Sequence, residues 1–333
     1  MSKVLVRIDL NAGGTRNSYK VRRYAEMVRD VYSRWGDAVH LVTHFGRRGE
    51  KGFKRNLQFL ADVLEELSGK PVRYIDSLEG TDTPGIYLLP NIRAFDGETE
   101  GSRELAEYLA REYDRYVNDA LAVSHRAHVS VILPELVDIE AEAGPLLKEE
   151  LEKLQNVKTA VILWGGVKLD KKKYIEALLK NGAEVVLGGI PALKYVLALK
   201  GEENEMSPLR KYREQIILPD SFQTEWGEID AMEYRGQRVV DISERAARDI
   251  ADYVREKDGV LSGPFGIYEQ GYRNSRILME AVKVILGGNS SDLAAEEGFE
   301  EKCITAGGAA LAYLAGYELP GLRALKIREP YVQ

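Results

Sequence analysis

The sequence predicts an α/β protein made of two domains, each a parallel sheet with helices on both faces, joined by a long bridging helix. Three observations carry this. Short β-branched runs alternate with stretches whose apolar residues fall at i, i+3, i+4 and i+7, as strands alternating with amphipathic helices do. The alternation stops at a charged segment near residue 150 and then restarts. At 333 residues the chain also exceeds what one ordinary hydrophobic core serves, so two domains are expected.

In the first half, VLVRID (4–9), AVHLVTH (38–44), PVRYID (71–76), GIYLLPN (85–91) and DRYVNDA (114–120) read as mostly buried strands. Helical spacing marks RRYAEMVRDVYSRW (22–35), LQFLADVLEELSG (57–69) and SRELAEYLAREY (102–113). EAGPLLKEELEKLQ (142–155) is a charged helical stretch suited to bridging two bodies. Beyond it, TAVILWGG (159–166), EVVLGG (184–189), EQIILPDSF (214–222), GVLSGPFG (259–266), VKVILGG (282–288) and KCITAGG (302–308) read as strands. YIEALLKNG (174–182), SERAARDIADYVREKDG (243–259) and AALAYLAGYELPG (309–321) read as helices between them. The expected domains are therefore 1–141 and 156–321, linked by 142–155, with the tail 322–333 packing back on the first.

Composition narrows the function. A net charge of −7 argues against a general nucleic-acid binder, whose footprint is basic. The one cysteine, Cys303, rules out an internal disulfide framework and fits a reducing compartment. No run of 18 apolar residues occurs, and MSKVLVRIDLN passes straight into a strand pattern, so neither a signal peptide nor a membrane span is expected. A cytoplasmic enzyme is the expectation.

Two features point to anionic ligands. In the second half WGGVK, LGGIPA, LGGNSSD and TAGGAA each place two glycines after a strand and before a helix. Such loops lie at the carboxyl edge of a parallel sheet, where free helix N–H groups and the helix dipole favour an anion. Four in one domain suit a nucleotide phosphate, although neither GxxxxGK[ST] nor GxGxxG is present. In the first half YVNDALAVSHRAHVSV (116–131) concentrates His125, Arg126 and His128 in an otherwise acidic chain. A zinc site would need more ligands than four histidines and one cysteine supply, so the two histidines read as structural hydrogen-bonders.

Taken in order, VRIDLN, THFGRRG, LLPNIRAF, YVNDALAVSHRAHVS, AGPLLKEEL, ILWGGVK, GGIPA, ILPD, GPFGIYE, ILGGNSSD and ITAGGAALAYLAG resemble the phosphoglycerate kinase family, in the style of its archaeal members. The resemblance implies two Rossmann-like domains, with an acid substrate on the N-terminal one and a nucleotide on the C-terminal one. It implies reversible phosphoryl transfer between 1,3-bisphosphoglycerate and ADP, giving 3-phosphoglycerate and ATP, with Mg²⁺ and in a monomer. No nucleic-acid or membrane partner is implied.

Residue by residue, it makes Arg126 part of a basic patch that grips the phosphate and carboxylate of phosphoglycerate, joined by His44, Arg47 and Lys158. Asp9 and Asn11 would hold the glycerate hydroxyl, although a plain strand-end turn accounts for that pair equally well. Lys168 would sit at the transferring phosphoryl group. Lys172, four residues on, would lie near the nucleotide phosphates, on the same face if a helix begins there. Lys171 and Lys173 read as a solvated helix start. Gly165, Gly166, Gly188 and Gly189 would line the nucleotide slot, Pro264 would pack near base or sugar, and Glu269 would accept the ribose hydroxyls. Backbone donors from Gly287 to Ser291, with Gly288, Ser290 and Ser291 among them, and from Gly307 and Gly308 would face the developing charge.

The chain departs from the family pattern in several places. Lys20 stands where the family has its catalytic arginine, which keeps the charge but loses the planar fork; Arg22 and Arg23 are neighbouring candidates. Lys158 also replaces an arginine, and Pro90 a glutamate. Asn289 and Ser290 alter the family's third loop, leaving Asp292 offset and the metal ligands unknown. Ser262 precedes GPFGIYE in place of an asparagine. These changes keep two alternatives in view: a diverged paralogue that phosphorylates a different small carboxylic acid, and a nucleotide-binding protein without turnover.

Overall fold

The computed structural model describes residues 2–11, 16–158 and 160–327. Its chain forms two compact units. One runs to Glu152 and takes in the stretch from Tyr317, and the other runs from Lys153 to Gly316.

The first unit carries six strands: β1 (Lys3–Arg7), β2 (Ala38–Val42), β3 (Val72–Tyr74), β4 (Gly85–Leu88), β5 (Arg115–Asn118) and β6 (Glu140–Ala143). They form one parallel sheet in the order β3-β4-β2-β1-β5-β6. The central strand β1 is buried on both faces, which is why VLVR is continuously apolar up to its arginine. Side chains alternate across a strand, so Val4 and Val6 pack on one face and Leu5 on the other. Val4 and Val6 meet Tyr24 and Val28 of α1 (Tyr19–Asp30) and Leu60 and Leu64 of α2 (Gln58–Ser68). Leu5 meets Leu105 and Leu109 of α3 (Arg103–Glu112) and Leu133 of α4 (Val129–Leu136). The helix α5 (Pro145–Gln155) follows β6, and the division between the units falls inside it.

The second unit has a parallel sheet in the order β14-β13-β7-β8-β9. Along the chain come β7 (Ala160–Trp164), α6 (Lys172–Lys180), β8 (Glu184–Leu187), α7 (Gly189–Leu199) and β9 (Ile216–Ile217). A three-stranded antiparallel sheet follows, of β10 (Ser221–Thr224), β11 (Gly227–Asp230) and β12 (Val239–Ile242). Then come α8 (Glu244–Arg255), β13 (Asp258–Ser262), α9 (Ser275–Ala281), β14 (Val284–Ile285), α10 (Asn289–Glu296) and α11 (Gly308–Leu314). Ser243 caps α8, its Oγ accepting from the Ala246 N–H at 3.1 Å. The last described helix, α12 (Pro320–Ala324), belongs to the first unit, where Ala324 packs with Val123 and Val131 and the Gly321 N–H donates to the Ser124 carbonyl at 2.8 Å. Of the tail expected there, residues 328–333 lie outside the described residues, as does Thr159 at the start of the expected strand 159–166.

Several expected elements differ. The stretch 142–155 is not one helix: β6 takes 140–143 as a charged edge strand, and the helix starts at Pro145. Charged residues suit an edge, where they discourage further pairing, and that is why this strand read as helix. EQIILPDSF divides at Pro219 into β9 and β10, which lie in different sheets, since proline donates nothing to a ladder. KCITAGG pairs only through an isolated bridge between Ile285 and Cys303. The run after HRAH is the helix α4.

Candidate active site

In each parallel sheet the strand order reverses at one place, between β1 and β5 in the first unit and between β7 and β13 in the second. Connections leave in opposite directions there and open a crevice at the carboxyl ends of the strands. Most of the expected residues fall on these edges: Asp9 and Asn11 after β1, His44 and Arg47 after β2, Arg126 after β5, and the glycine pairs after β7, β8 and β14.

At the first crevice Asp9 is buried and paired with Lys20, whose Nζ lies 2.5 Å from Oδ2. Burial opposes ionisation of Asp9, but the Lys20 ammonium, with Arg7 behind it, outweighs burial and holds the carboxyl well below the usual range. Asp9 Oδ1 also accepts the Asn11 N–H at 3.1 Å, and Asn11 Oδ1 accepts the Gly46 N–H at 3.1 Å. The turn therefore ties the ends of β1 and β2 together. An unforeseen arginine lies beneath it: Arg7 is 1% exposed, donates to the Val42 carbonyl, and sits 3.1 Å from His44 Nδ1. Burial pushes the His44 imidazole well below its ordinary value. His44 is thus a neutral group that accepts from Arg7 at Nδ1, not one of the cations. Of Arg22 and Arg23, the neighbours of Lys20, Arg23 is engaged with Glu26 and Glu149.

Alongside lies a cleft of about 570 Å³ lined by Arg47, Arg48, Arg93, Arg126 and His128, with Asp96 and Glu100 on its acidic wall. Arg93 was missed in the sequence, where Pro90 drew attention within LLPNIRAF. The Asn91 side chain accepts from the Arg93 N–H at 3.1 Å and donates to the Phe45 and Lys54 carbonyls, so that motif fixes the loop. Arg93 itself donates to the Gly46 carbonyl at 2.9 Å. The HRAH loop is anchored by Glu98, which is buried and accepts from both the N–H and the hydroxyl of Ser130 in the first turn of α4. His128 titrates at about 4, lowered by burial and then by Arg93, Arg7 and Arg126. Arg126 therefore carries positive charge in this loop that His128 does not.

Lys158 belongs to the second unit, just before β7, where its N–H donates to Asp258 at 2.8 Å. That is the amino edge of the sheet, away from the glycine loops.

At the second crevice the loops interlock. A Cβ on Gly165 would lie 2.5 Å from the Pro264 carbonyl oxygen, and one on Gly188 would enter the Phe265 ring. One on Gly287 would lie 1.9 Å from the Thr305 carbonyl oxygen, and one on Gly189 2.7 Å from that of Gly166. These glycines are required by packing between loops. Gly288, at φ +94°, and Gly308 face open space instead and leave room for a ligand. Ser290 is committed to the scaffold, its Oγ accepting the Gly263 N–H at 2.9 Å, and Ser291 Oγ donates to the Gly288 carbonyl. Pro264 and the exposed Glu269 lie on the loop after β13.

The lysine run differs from expectation. The glycines at 165 and 166 do not open a helix, since α6 begins only at Lys172, so Lys168 and Lys172 do not share a helical face. Lys171, read as solvated, points inward: its Nζ donates to Ser262 Oγ at the end of β13 at 2.9 Å. Burial lowers its ammonium, and Lys168 nearby adds to the shift. Lys172 is turned to the Glu205 carbonyl at 2.6 Å. Lys168 is exposed, and Lys173 lies over the Tyr174 ring. No cluster of three or more His, Cys, Asp or Glu side chains that could hold a metal ion occurs among the described residues. Nor, among them, is any helix long and apolar enough to cross a membrane.

Comparison with known proteins bears on this geometry. The family model for phosphoglycerate kinase matches residues 1–317. The phosphoglycerate kinase of Rubrobacter xylanophilus is 29% identical, with 98% of this chain and 96% of that protein covered. That of Archaeoglobus fulgidus is 28% identical, over 97% and 93%. The crystal structure of phosphoglycerate kinase from Pyrococcus horikoshii OT3 superposes with a TM-score of 0.83 at 25% identity, covering 98% of this chain and 96% of that one. The chain belongs to the phosphoglycerate kinase family.

Proposed function

We propose that this member of the phosphoglycerate kinase family transfers a phosphoryl group reversibly between 1,3-bisphosphoglycerate and ADP. The carrying observation is the cleft beside Asp9, where Arg47, Arg48, Arg93 and Arg126 converge on one space without a histidine cation among them. Guanidinium forks suit a small acid bearing both carboxylate and phosphate. Arg93 takes the place in this patch that the resemblance gave to Lys158.

Direct transfer needs no general base. An ionised carboxylate oxygen of 3-phosphoglycerate attacks the γ-phosphorus of ATP, the new O–P bond forms, the bond to the β–γ bridging oxygen breaks, and ADP leaves with that electron pair. The protein supplies position and positive potential. In the first unit Lys20, fixed on Asp9, keeps two ammonium donors for the acid. In the second, the exposed Lys168 offers its charge to the moving group, and Lys171, held at Ser262, takes the nucleotide-phosphate role expected of Lys172. The open faces of Gly288 and Gly308 present backbone N–H groups to the phosphates. Pro264 and Glu269 face the sugar, and Gly165, Gly166, Gly188 and Gly189 shape the slot. Bound magnesium would neutralise charge on the nucleotide phosphates, and no cluster of three or more His, Cys, Asp or Glu side chains among the described residues would hold it apart from the nucleotide.

The test is a coupled assay with purified protein, ATP, 3-phosphoglycerate, glyceraldehyde-3-phosphate dehydrogenase and NADH. NADH consumption that is lost in Arg126→Ala supports the reading. ADP binding without turnover on this acid overturns it; turnover on another small acid would favour the diverged paralogue.

A further inference from the structure

One buried carboxylate has no part in this phosphoryl transfer. Asp241, on β12, is 1% exposed, and the hydrogen-bond partners found for it are backbone N–H groups, those of Ile242 at 2.9 Å and Asn274 at 3.0 Å. A carboxylate removed from water without a cation is costly, so its retention calls for a reason. Burial raises it to about 6, with those two N–H bonds pulling the other way.

Its surroundings supply the reason. Asn274 begins the turn into α9, and its Nδ2 donates back to the Ile242 carbonyl at 2.9 Å, so carboxylate and amide clamp β12 to that turn. Between the clamped ends runs the GPFGIYE loop. A Cβ on Gly266 would lie 2.3 Å from Asp241 Cγ and 2.4 Å from Oδ2, so the carboxylate rests against the loop backbone. The Ile267 N–H donates to the Val240 carbonyl at 2.8 Å, and the Phe265 N–H to Ser275 Oγ at 2.8 Å. The Phe265 and Ile267 N–H groups are thus held from the start of α9 and from β12, and Asp241 joins these two.

We propose that Asp241 is a positioning residue for the nucleotide, setting the height and direction of the loop that presents Pro264 and Glu269. The antiparallel sheet thereby gains a functional role, since β12 delivers a carboxylate beneath the loop. The proposal rests on the reading that this loop faces the nucleotide.

Four variants test it: Asp241→Ala, Asp241→Asn, Gly266→Ala and the Asp241→Ala/Gly266→Ala double. ADP affinity is measured by calorimetry, and KM for ATP and for 3-phosphoglycerate in the coupled assay. Asp241→Ala should weaken ADP at least about tenfold, since two N–H groups lose their acceptor, while KM for 3-phosphoglycerate stays within about twofold. Asp241→Asn, which keeps one acceptor oxygen and the shape, should recover part of that loss. Gly266→Ala should weaken ADP alone, but add less than about twofold in the Asp241→Ala background, where the methyl finds space. Equal ADP affinity in Asp241→Asn and parent would overturn the proposal. So would fully multiplicative effects of the two single changes, or a parallel rise in both KM values. If Asp241→Ala does not fold, the Asn variant and Gly266→Ala still decide. A parent chain that binds no ADP would remove the nucleotide reading, and this inference with it.

Discussion

Replacing Lys20 by alanine strips a buried carboxylate of its nearest cation, and the size of the loss follows from the surroundings. Asp9 and Lys20 are 5% and 14% exposed in their side chains and in direct contact. At an effective dielectric near 20, unit charges about 4 Å apart attract by about 4 kcal/mol, part of which offsets desolvation. Removing one partner of such a pair costs about 3–5 kcal/mol because the other charge stays buried. Arg7 remains close to Asp9, so the lower end applies, about 3 kcal/mol. For a body of this size that is a fall of about 6–12 °C in Tm. The pH dependence gives the sharper test. In the parent, the Asp9 carboxyl is held below its unfolded value, so ionised Asp9 contributes stability above about pH 4 that is lost as pH falls toward its native value. Without Lys20, burial raises the native value, and the deficit of the variant should shrink below about pH 4 as Asp9 takes up a proton. Denaturant unfolding of both proteins from pH 3 to 8 reads this directly. A deficit equal at pH 3 and pH 7 would refute the pairing as the cause. Turnover should fall at least about tenfold, or 1.4 kcal/mol of transition-state stabilisation.

Arg93→Ala and Arg126→Ala should each raise KM for 3-phosphoglycerate at least about tenfold and leave KM for ATP unchanged, because both line the acid cleft alone. Lys171→Ala should weaken ADP more than Lys172→Ala in a calorimetric titration, reversing the order that spacing in the sequence suggests. Gly287→Ala, which forces a methyl onto the Thr305 carbonyl, should cost at least about 2 kcal/mol in unfolding, whereas Gly308→Ala should alter stability by under about 0.5 kcal/mol. His128 should titrate near 4 by NMR; because the unfolded imidazole takes a proton that the folded one resists, stability should decline as pH drops from about 6.5 to 4.

Both central strands were legible, since Val4–Val6 and Val161–Leu163 are buried on two faces and leave continuous apolar runs. α3 was legible for the opposite reason, an apolar stripe on a polar helix with Ser102 as its cap. The antiparallel sheet was not, because its strands are four residues long and β11 alternates only intermediate and exposed positions. In the site, glycine pairs and HRAH stood out as composition, but composition does not say which cation faces which space. Arg93 and Lys171 are ordinary residues in charged company, and neither the cleft that Arg93 lines nor the reach of Lys171 to Ser262 shows in the sequence. The Asp9–Asn11 pair illustrates the overlap, for the same side chains that make the turn also hold Lys20 and Gly46.

The contacts among the glycine loops bear on how this sequence can change. Gly165 touches Gly263, Gly166 touches Gly189, and Gly287 touches both Thr305 and Gly307. Each segment is thus the mould of another, and a mutation acceptable to one is vetoed by its neighbour. Lineages can drift at Asn289 or Val167, which lie outside the mutual contacts, while the interlocked positions must stay small together or be rebuilt together. A library aimed at altering nucleotide choice would do best to leave that lattice of glycines untouched and vary the residues around its rim.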